Sequence, residues 1–548
     1  MHFNFCLIIH SKSLIQNVLS VMRSFVKPTL YSVPSFGPKV TGFTLPYRNV
    51  KCLTDNEGQI QGTFPNFPTA LTLRELFDQI VDYYYSYPMY GSLIENKTIE
   101  WYTYGEFGEL VRALSAGFLK YGVKMGDLIG VLVENSTYFA LAQWASAYMG
   151  GVIIPIDISY ENDVVQQILT VFKCSSLICT SQTYPTIFQI YMANPTGKLS
   201  KIFLLCDENE KNHLQDDMGS PLDTQLGIPL FTLPQIIQEK PQNDNIQYPT
   251  ILATSLCVLN VGAGRCGSLN PCCLTHSNLI AAAAGVPSCD YQFGRDVYLP
   301  TMPMSRVFER SIQLCILAYG GCISFVSSPL LEALEITKPT VISFSGDNIQ
   351  DLAEALIADA MGSSFFRRII YDFAFSVAAQ AKEGRSELPW LIRTIIIDPF
   401  RAKVGGRLKL IISACSYLEP RVQHVLRTML QIPVVQLYGV TEAGGIICIQ
   451  KVDDDYVGNV GAPTACCEIR VRDFVPAHQR VADDEPGEIL VRGPNLFSGY
   501  HRNKEMTKKA LLEDGWFATG DIGRILPNGT LVIVDTIKDW SRRKKKPS

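Results

Sequence analysis

The stretch Gln436–Gly445, reading QLYGVTEAGG, holds three side chains whose types and spacing suit one chemistry. The ring of Tyr438 can lie on a flat base, and the Thr441 hydroxyl can bond a phosphate oxygen. The Glu442 carboxylate can hold a Mg²⁺ ion that phosphates also bind. The preceding residues, Pro433 to Leu437, form a short apolar, β-branched run and predict a buried strand. Gly439 and the pair Gly444 and Gly445 end that run in a loop. The three groups therefore fall at the carboxyl end of a strand, where open α/β sheets bind their ligands. A strand closing in an ordinary turn is the competing reading, and a pattern this short does not exclude it.

Two further segments carry groups of the same kind. Thr519, Gly520 and Asp521 put a carboxylate at an expected turn after an aromatic residue. Such a carboxylate can accept both hydroxyls of a ribose, although Asp and Gly also favour plain hairpin turns. Val261–Leu274 reads as strand, glycine loop and helix, with Gly262, Gly264 and Gly267 free to turn backbone N–H groups toward phosphate. It is not a Walker A loop, because no Lys follows the last glycine. Taken alone, a plain strand–helix turn explains it better.

Positioning such groups requires a large alternating scaffold, and the chain supplies one. With 548 residues it must divide into subdomains. A net charge of −4 gives no general attraction to nucleic acid or anionic membrane. The 16 cysteines are scattered without a C-x-x-C, so free thiols in a reducing compartment are expected, with no zinc site. The 7 histidines are dispersed and suggest no His-based metal centre. The first 25 residues are too interrupted by polar groups for a transmembrane span. Leu14, Ile15, Val18, Leu19 and Met22 would suit an interfacial helix or one packed on the body.

Residues 1–65 read as an N-terminal extension rich in Pro and Gly. Thr103 with Glu106 has capping-box spacing before a helical stripe that ends near Gly122. Strands are expected at 128–133, 152–156, 176–180 and 201–206, with helices between them. A second series has strands at 256–261, 321–326, 341–344 and 408–413 and a helix at 419–430. Such alternation means parallel sheets with helices on their faces. Asp207–Tyr248 reads as a polar surface insertion without core. After Gly445 short strands at 468–472, 488–492 and 531–534 predict a β-rich subdomain reaching about Asp535. The fold class expected is α/β: two helix-covered parallel or mixed β-sheet subdomains plus a small β-rich, distorted-barrel subdomain.

In their order and spacing, these segments resemble the adenylate-forming acyl-CoA synthetases, and among them the long-chain fatty acyl-CoA ligases. The likeness runs from about Thr72 to Asp535. It rests on YGVTE and GWFATGD, on PMSRVFERSIQ (similar to PLAHxFER), on GGRLKLIISACSYL (similar to GGxxxxxxSGxAPL) and on the turn Gly458–Gly461. The resemblance implies residues 66–535 as the AMP-binding large domain, with its β-rich part at about 445–535. It implies that Tyr438 and Gly439 meet adenine, Thr441 the α-phosphate, Asp521 the ribose, and Gly262, Gly264 and Gly267 the phosphates. Thr441 and Glu442 would be the catalytic pair, with Glu442 the metal ligand; Trp516 would be structural. ATP, Mg²⁺ and CoA are the implied cofactors and a fatty acid the substrate. A carboxylate attacks the α-phosphate to give acyl-AMP and pyrophosphate, and the CoA thiol then takes the acyl group.

The departures from that family's pattern are local. GAGRCGSLNP stands for TSGTTGxPKG, with Asn270 where Lys is expected. Arg306 replaces a His, Ser345–Asp347 replaces Val-Pro-Arg, and Thr536 replaces an Arg. The sequence stops at Ser548, so the family's C-terminal lid domain is expected to be absent, with 536–548 a basic tail. These changes predict a weak ligase, or one that needs a lid from elsewhere. The alternative is a protein that binds nucleotide or fatty acyl ligand without turnover. No nucleic-acid partner is expected. The expected location is cytoplasmic, with peripheral contact to the endoplasmic reticulum or another membrane as the secondary reading.

Overall fold

The computed structural model describes residues 29–35, 40, 42–54, 59–94, 97–193, 199–206, 226–238, 246–261, 270–361, 375–380, 389–473 and 485–544. Among these residues the strands form three sheets, of seven, nine and six strands. The seven-stranded sheet is parallel from Leu256–Asn260 through Val152–Pro155, Leu128–Leu132, Ser176–Cys179 and Lys201–Leu204 to Leu230–Thr232. Every residue of Val152–Pro155 and Ser176–Cys179 is buried, as expected of strands covered on both faces.

The nine-stranded sheet has Val434–Tyr438 beside Leu410–Ala414, followed by Val341–Ser345, Val297–Leu299 and Cys322–Phe325, all parallel. Between the layers runs the helix Val307–Ala318, every residue of which is buried. A helix without a solvent face is covered on all sides, so its polar residues Glu309, Arg310, Ser311 and Gln313 are buried with the rest. Capping boxes start the helices Leu73–Tyr83, Tyr104–Lys120 and His276–Gly285, at Thr72, Thr103 and Thr275. The second of these is the one expected from its spacing.

Several elements depart from the sequence-based expectation. The hairpin Pro88–Ile94 and Thr98–Thr103 extends the nine-stranded sheet, so the ordered body begins before the alternation that the sequence makes visible. Within Asp207–Tyr248, Leu230–Thr232 closes the edge of a sheet, and Ile236 is buried against Gly117. The stretch therefore does carry core; its short apolar run is diluted by polar neighbours in any composition window. Residues of the N-terminal extension are also integral. Ser32–Pro34 and Tyr47–Asn49 join the β-rich sheet, where Arg48 Nε meets the buried Glu468 carboxylate at 2.7 Å. These strands are too short for periodicity to reveal.

The six-stranded sheet is antiparallel and continues through Glu468–Arg472, Gly487–Arg492, Phe517–Ile525 and Leu531–Thr536. Its two ends approach each other: Tyr31 N donates to Asn528 O at 2.9 Å and Ser32 Oγ to Gly529 O at 2.5 Å. The sheet thus curls toward a barrel. Its boundary lies later than Gly445, since Cys448–Ile449 and Ala462–Pro463 still belong to the nine-stranded sheet. Trp516 is buried, with the guanidinium carbons of Arg470 and Arg492 at 4.3 and 4.7 Å from its ring. Part of the expected basic tail forms the helix Ile537–Lys544. No helix among the described residues is long and apolar enough to cross a membrane. The N-terminal segment considered as an interfacial helix lies outside the described residues.

Candidate active site

The site is built where Val434–Tyr438 leaves its sheet. After Tyr438 the chain makes one tight turn, Thr441–Ala443, and returns through Gly444 and Gly445. A Cβ on Gly439 would lie 1.9 Å from the Gly445 carbonyl oxygen, so only glycine lets the two limbs of this turn touch. Gly445 has φ +83° and lies against the Phe308 backbone, which fixes the turn to the buried helix. From the other side Asn495 Nδ2 donates to the carbonyls of Ala443 (3.2 Å) and Ile446 (2.8 Å). The Thr441–Glu442 segment is therefore held by three different parts of the chain.

Two contacts join this turn to the C-terminal part of the chain, one of them to the β-rich sheet. The Tyr438 hydroxyl donates to Asp521 Oδ2 at 2.7 Å, and the Tyr500 hydroxyl donates to Glu442 Oε1 at 2.7 Å. The Phe497 amide also donates to the Glu442 carbonyl at 2.8 Å. Asp521 does not sit in a turn, as expected, but inside the strand Phe517–Ile525, beside a register irregularity at Ile522 and Gly523. The bulge lets the strand change direction while keeping its pairing, which a Thr-Gly-Asp triplet does not distinguish from a hairpin.

Beside the turn lies a cavity of ≈ 160 Å³ walled by Gly439, Val440, Thr441 and Gly445, and by Asp157, Asn260, Ser305, Arg306 and Cys415, among others. The Asp157 carboxylate is already engaged: Oδ1 accepts from the Ser159 hydroxyl at 2.7 Å and Oδ2 from the Ser305 hydroxyl at 2.9 Å. Next to the wall residues, Glu309 is fully buried and accepts from Tyr298, Ser343 and Gln313. Burial raises its pKa to about 7. A larger surface cleft of ≈ 560 Å³ lies elsewhere, lined by Glu100, Glu106 and Glu109. Three carboxylates without a cation in that wall would repel phosphates, so the smaller cavity is the better candidate.

The structure thus brings Tyr438 to Asp521, puts Gly439 and Thr441 in one cavity wall, and places Glu442 on the adjoining turn. Gly262, Gly264 and Gly267 lie outside the described residues. Between them and the helix His276–Gly285 lies a strand that was not expected, Cys272–Thr275, antiparallel to Leu256–Asn260. A strand of four residues is too short to stand out in sequence. Asn270, where a cation was expected, is a neutral amide whose Oδ1 accepts from Asn503 at 3.1 Å. Thr536 Oγ1 donates to Asp539 Oδ2 at 2.9 Å at the start of the last helix.

Sequence reasoning gave no role to Tyr500, Asp157 or Asn260. Nothing in one sequence ties Tyr500 to Glu442, 58 positions away. For a divalent cation, the described residues hold no group of three or more His, Cys, Asp or Glu side chains. Glu442 does fit a cation shared with phosphate, since Tyr500 occupies only one of its oxygens. None of the 14 described cysteines is held in a disulfide.

A family model described as AMP-binding enzyme matches residues 85–501. Among curated proteins the chain is similar to long chain acyl-CoA synthetase 6, peroxisomal, of Arabidopsis thaliana. The two are 27% identical over 91% of this chain and 70% of that protein. It is also 24% identical to long-chain-fatty-acid–CoA ligase 1 of Homo sapiens, over 86% of this chain and 68% of that one. Among solved structures, a long-chain-fatty-acid-CoA ligase of Archaeoglobus fulgidus superposes with a TM-score of 0.67 at 18% identity, covering 86% of this chain and 85% of that one. The N-terminal domain of FACL13 from Mycobacterium tuberculosis superposes with a TM-score of 0.64 at 17% identity, covering 85% of this chain and 99% of that domain.

Proposed function

Since this chain belongs to the AMP-binding enzyme family, we propose that it is an ATP-dependent long-chain fatty acid–CoA ligase working through an acyl-AMP intermediate. The single observation that carries the site assignment is the 2.7 Å bond from Tyr438 to Asp521, two groups 83 positions apart that each suit a different part of a nucleoside. In this reading the Tyr438 ring faces adenine, Asp521 accepts from the ribose, and Thr441 bonds the α-phosphate. Glu442 would hold Mg²⁺, and the cation's charge would offset that of the phosphates. The fatty-acid carboxylate attacks the α-phosphorus, pyrophosphate leaves, and the CoA thiol takes the acyl group from AMP. Thr441 and the cavity's other donors stabilise the charge that moves onto oxygen during the first step.

A second reading, nucleotide binding with little turnover, is favoured by Asn270 and Thr536, which present neutral groups bonded to their neighbours. Groups that act mainly in the transition state cost rate more than affinity when lost. The test is purified protein with ATP, Mg²⁺, palmitate and CoA, followed by pyrophosphate release and palmitoyl-CoA formation. Palmitate-dependent release of both products is expected, slower than the roughly 1 per second of ordinary enzymes. ATP binding without palmitate-dependent pyrophosphate would leave only the second reading. Failure to bind ATP would overturn both.

A further inference from the structure

Arg310 is a buried charge that meets no carboxylate among the described residues. It lies on the helix Val307–Ala318 and is 3% exposed. Its neighbour Glu309 does not help, because that carboxylate is bonded to Tyr298, Ser343 and Gln313. Arg310 Nη2 donates to Asn260 Oδ1, while Nε and Nη1 are buried without an acceptor. Burial lowers its pKa to about 10, so the guanidinium remains protonated at neutral pH. An uncompensated buried cation is costly to a fold, and its positive potential persists in whatever polar space lies nearby.

That space is the cavity, and Asn260 connects the two. Asn260 ends the strand Leu256–Asn260, is 3% exposed, and contributes to the cavity wall together with Gly439 and Thr441. Guanidinium only donates, so the atom of the Asn260 amide that faces Arg310 must be the oxygen. The orientation of this amide is therefore fixed by chemistry, and its nitrogen is the polar end left for the cavity. The remaining wall favours an anion. It holds Thr441 and Arg306, and its one carboxylate among the described residues, Asp157, is bonded to Ser159 and Ser305.

We propose that Asn260 is a ligand-binding donor for an anionic oxygen, phosphate or carboxylate, oriented and polarised by Arg310 as its positioning residue. This deepens the ligase reading and rests on it for the identity of the ligands, ATP and a fatty acid. The charge on Arg310 offsets the ligand's negative charge through the amide, a charge-assisted arrangement stronger than a neutral amide alone.

Asn260→Asp separates this role from a structural one. The new carboxylate would ion-pair with Arg310, so the variant should melt at the same temperature as the wild type or higher. It would also turn an acceptor toward the ligand. Dissociation constants measured by calorimetry for ATP, palmitate and inorganic pyrophosphate should rise about tenfold or more for the ligand concerned, the size expected for losing a hydrogen bond to a charged group. A change with ATP and pyrophosphate assigns the oxygen to phosphate, and a change with palmitate alone assigns it to the carboxylate. Arg310→Met provides a second arm. It removes the buried charge but leaves Asn260 Oδ1 without its donor, so it should weaken the same ligand several-fold while lowering the melting temperature by no more than a few degrees. Unaltered affinity for all three ligands in both folded variants would overturn the proposal, as would a wild type that binds none of them. A wild type that binds pyrophosphate through Asn260 but ligates nothing would sink the ligase reading and leave this donor standing.

Discussion

Glu442→Gln is the sharpest probe of the proposed metal role, because it changes charge and almost nothing else. The side chain keeps its shape, and the backbone bonds that hold its turn, from Phe497 and from Asn495, do not involve it. The Tyr500 hydroxyl, 2.7 Å from Oε1, would still find an oxygen but lose charge assistance, a cost of about 1 kcal/mol. The melting temperature should therefore fall by no more than a few degrees. The metal contribution is larger. Two unit charges 4 Å apart are worth about 4 kcal/mol at an effective dielectric of about 20. Allowing for the amide oxygen that remains, a loss of roughly 2–4 kcal/mol is expected, or about 30- to 1000-fold. The assay is calorimetric ATP binding with and without Mg²⁺, together with pyrophosphate release across a Mg²⁺ titration. The Mg²⁺-dependent part of both should collapse while Mg²⁺-free ATP affinity holds. A folded variant whose half-saturating Mg²⁺ and turnover match the wild type within twofold would refute the assignment of Glu442 as a metal ligand.

Asp521→Asn should weaken ATP about tenfold through the lost charged acceptor, with Tyr438 still able to donate to the amide oxygen; equal affinities by calorimetry would remove Asp521 from the ribose. Gly445→Ala puts a Cβ at φ +83° and 2.6 Å from the Phe308 Cα, so destabilisation of about 2–4 kcal/mol is expected in chemical denaturation, with a shifted turn and reduced turnover. For Glu309 the folded chain holds a proton that the unfolded chain releases from pH 4.5, because burial lifts the pKa to about 7. Stability from this group is thus full below about pH 4.5, declines as pH rises through 7, and is flat above; the drop is on the order of 3 kcal/mol. Glu309→Gln should flatten that slope in denaturation curves from pH 5 to 8, and an unchanged slope would show that another group titrates there.

The sequence by itself determined the elements whose signals are local. Thr103 and Glu106 announce a helix start because the capping box is satisfied within four residues. Runs such as Val152–Pro155 and Val434–Tyr438 announce buried strands because they are short, mostly apolar and rich in β-branched residues. YGVTE, with its flanking glycines, announced a tight turn at a strand end, since a side chain at Gly439 has no room. Only the tertiary structure decided what depends on pairing between distant segments. It made Ser32–Pro34 and Tyr47–Asn49 part of a sheet, because two three-residue strands are stabilised only by their partners. It put Asp521 in a bulged strand rather than a turn, gave Tyr500 to Glu442, and set Arg310 against Asn260. Pairing energies between residues far apart in the chain arise from three-dimensional proximity and desolvation, and neither is written in the order of one sequence.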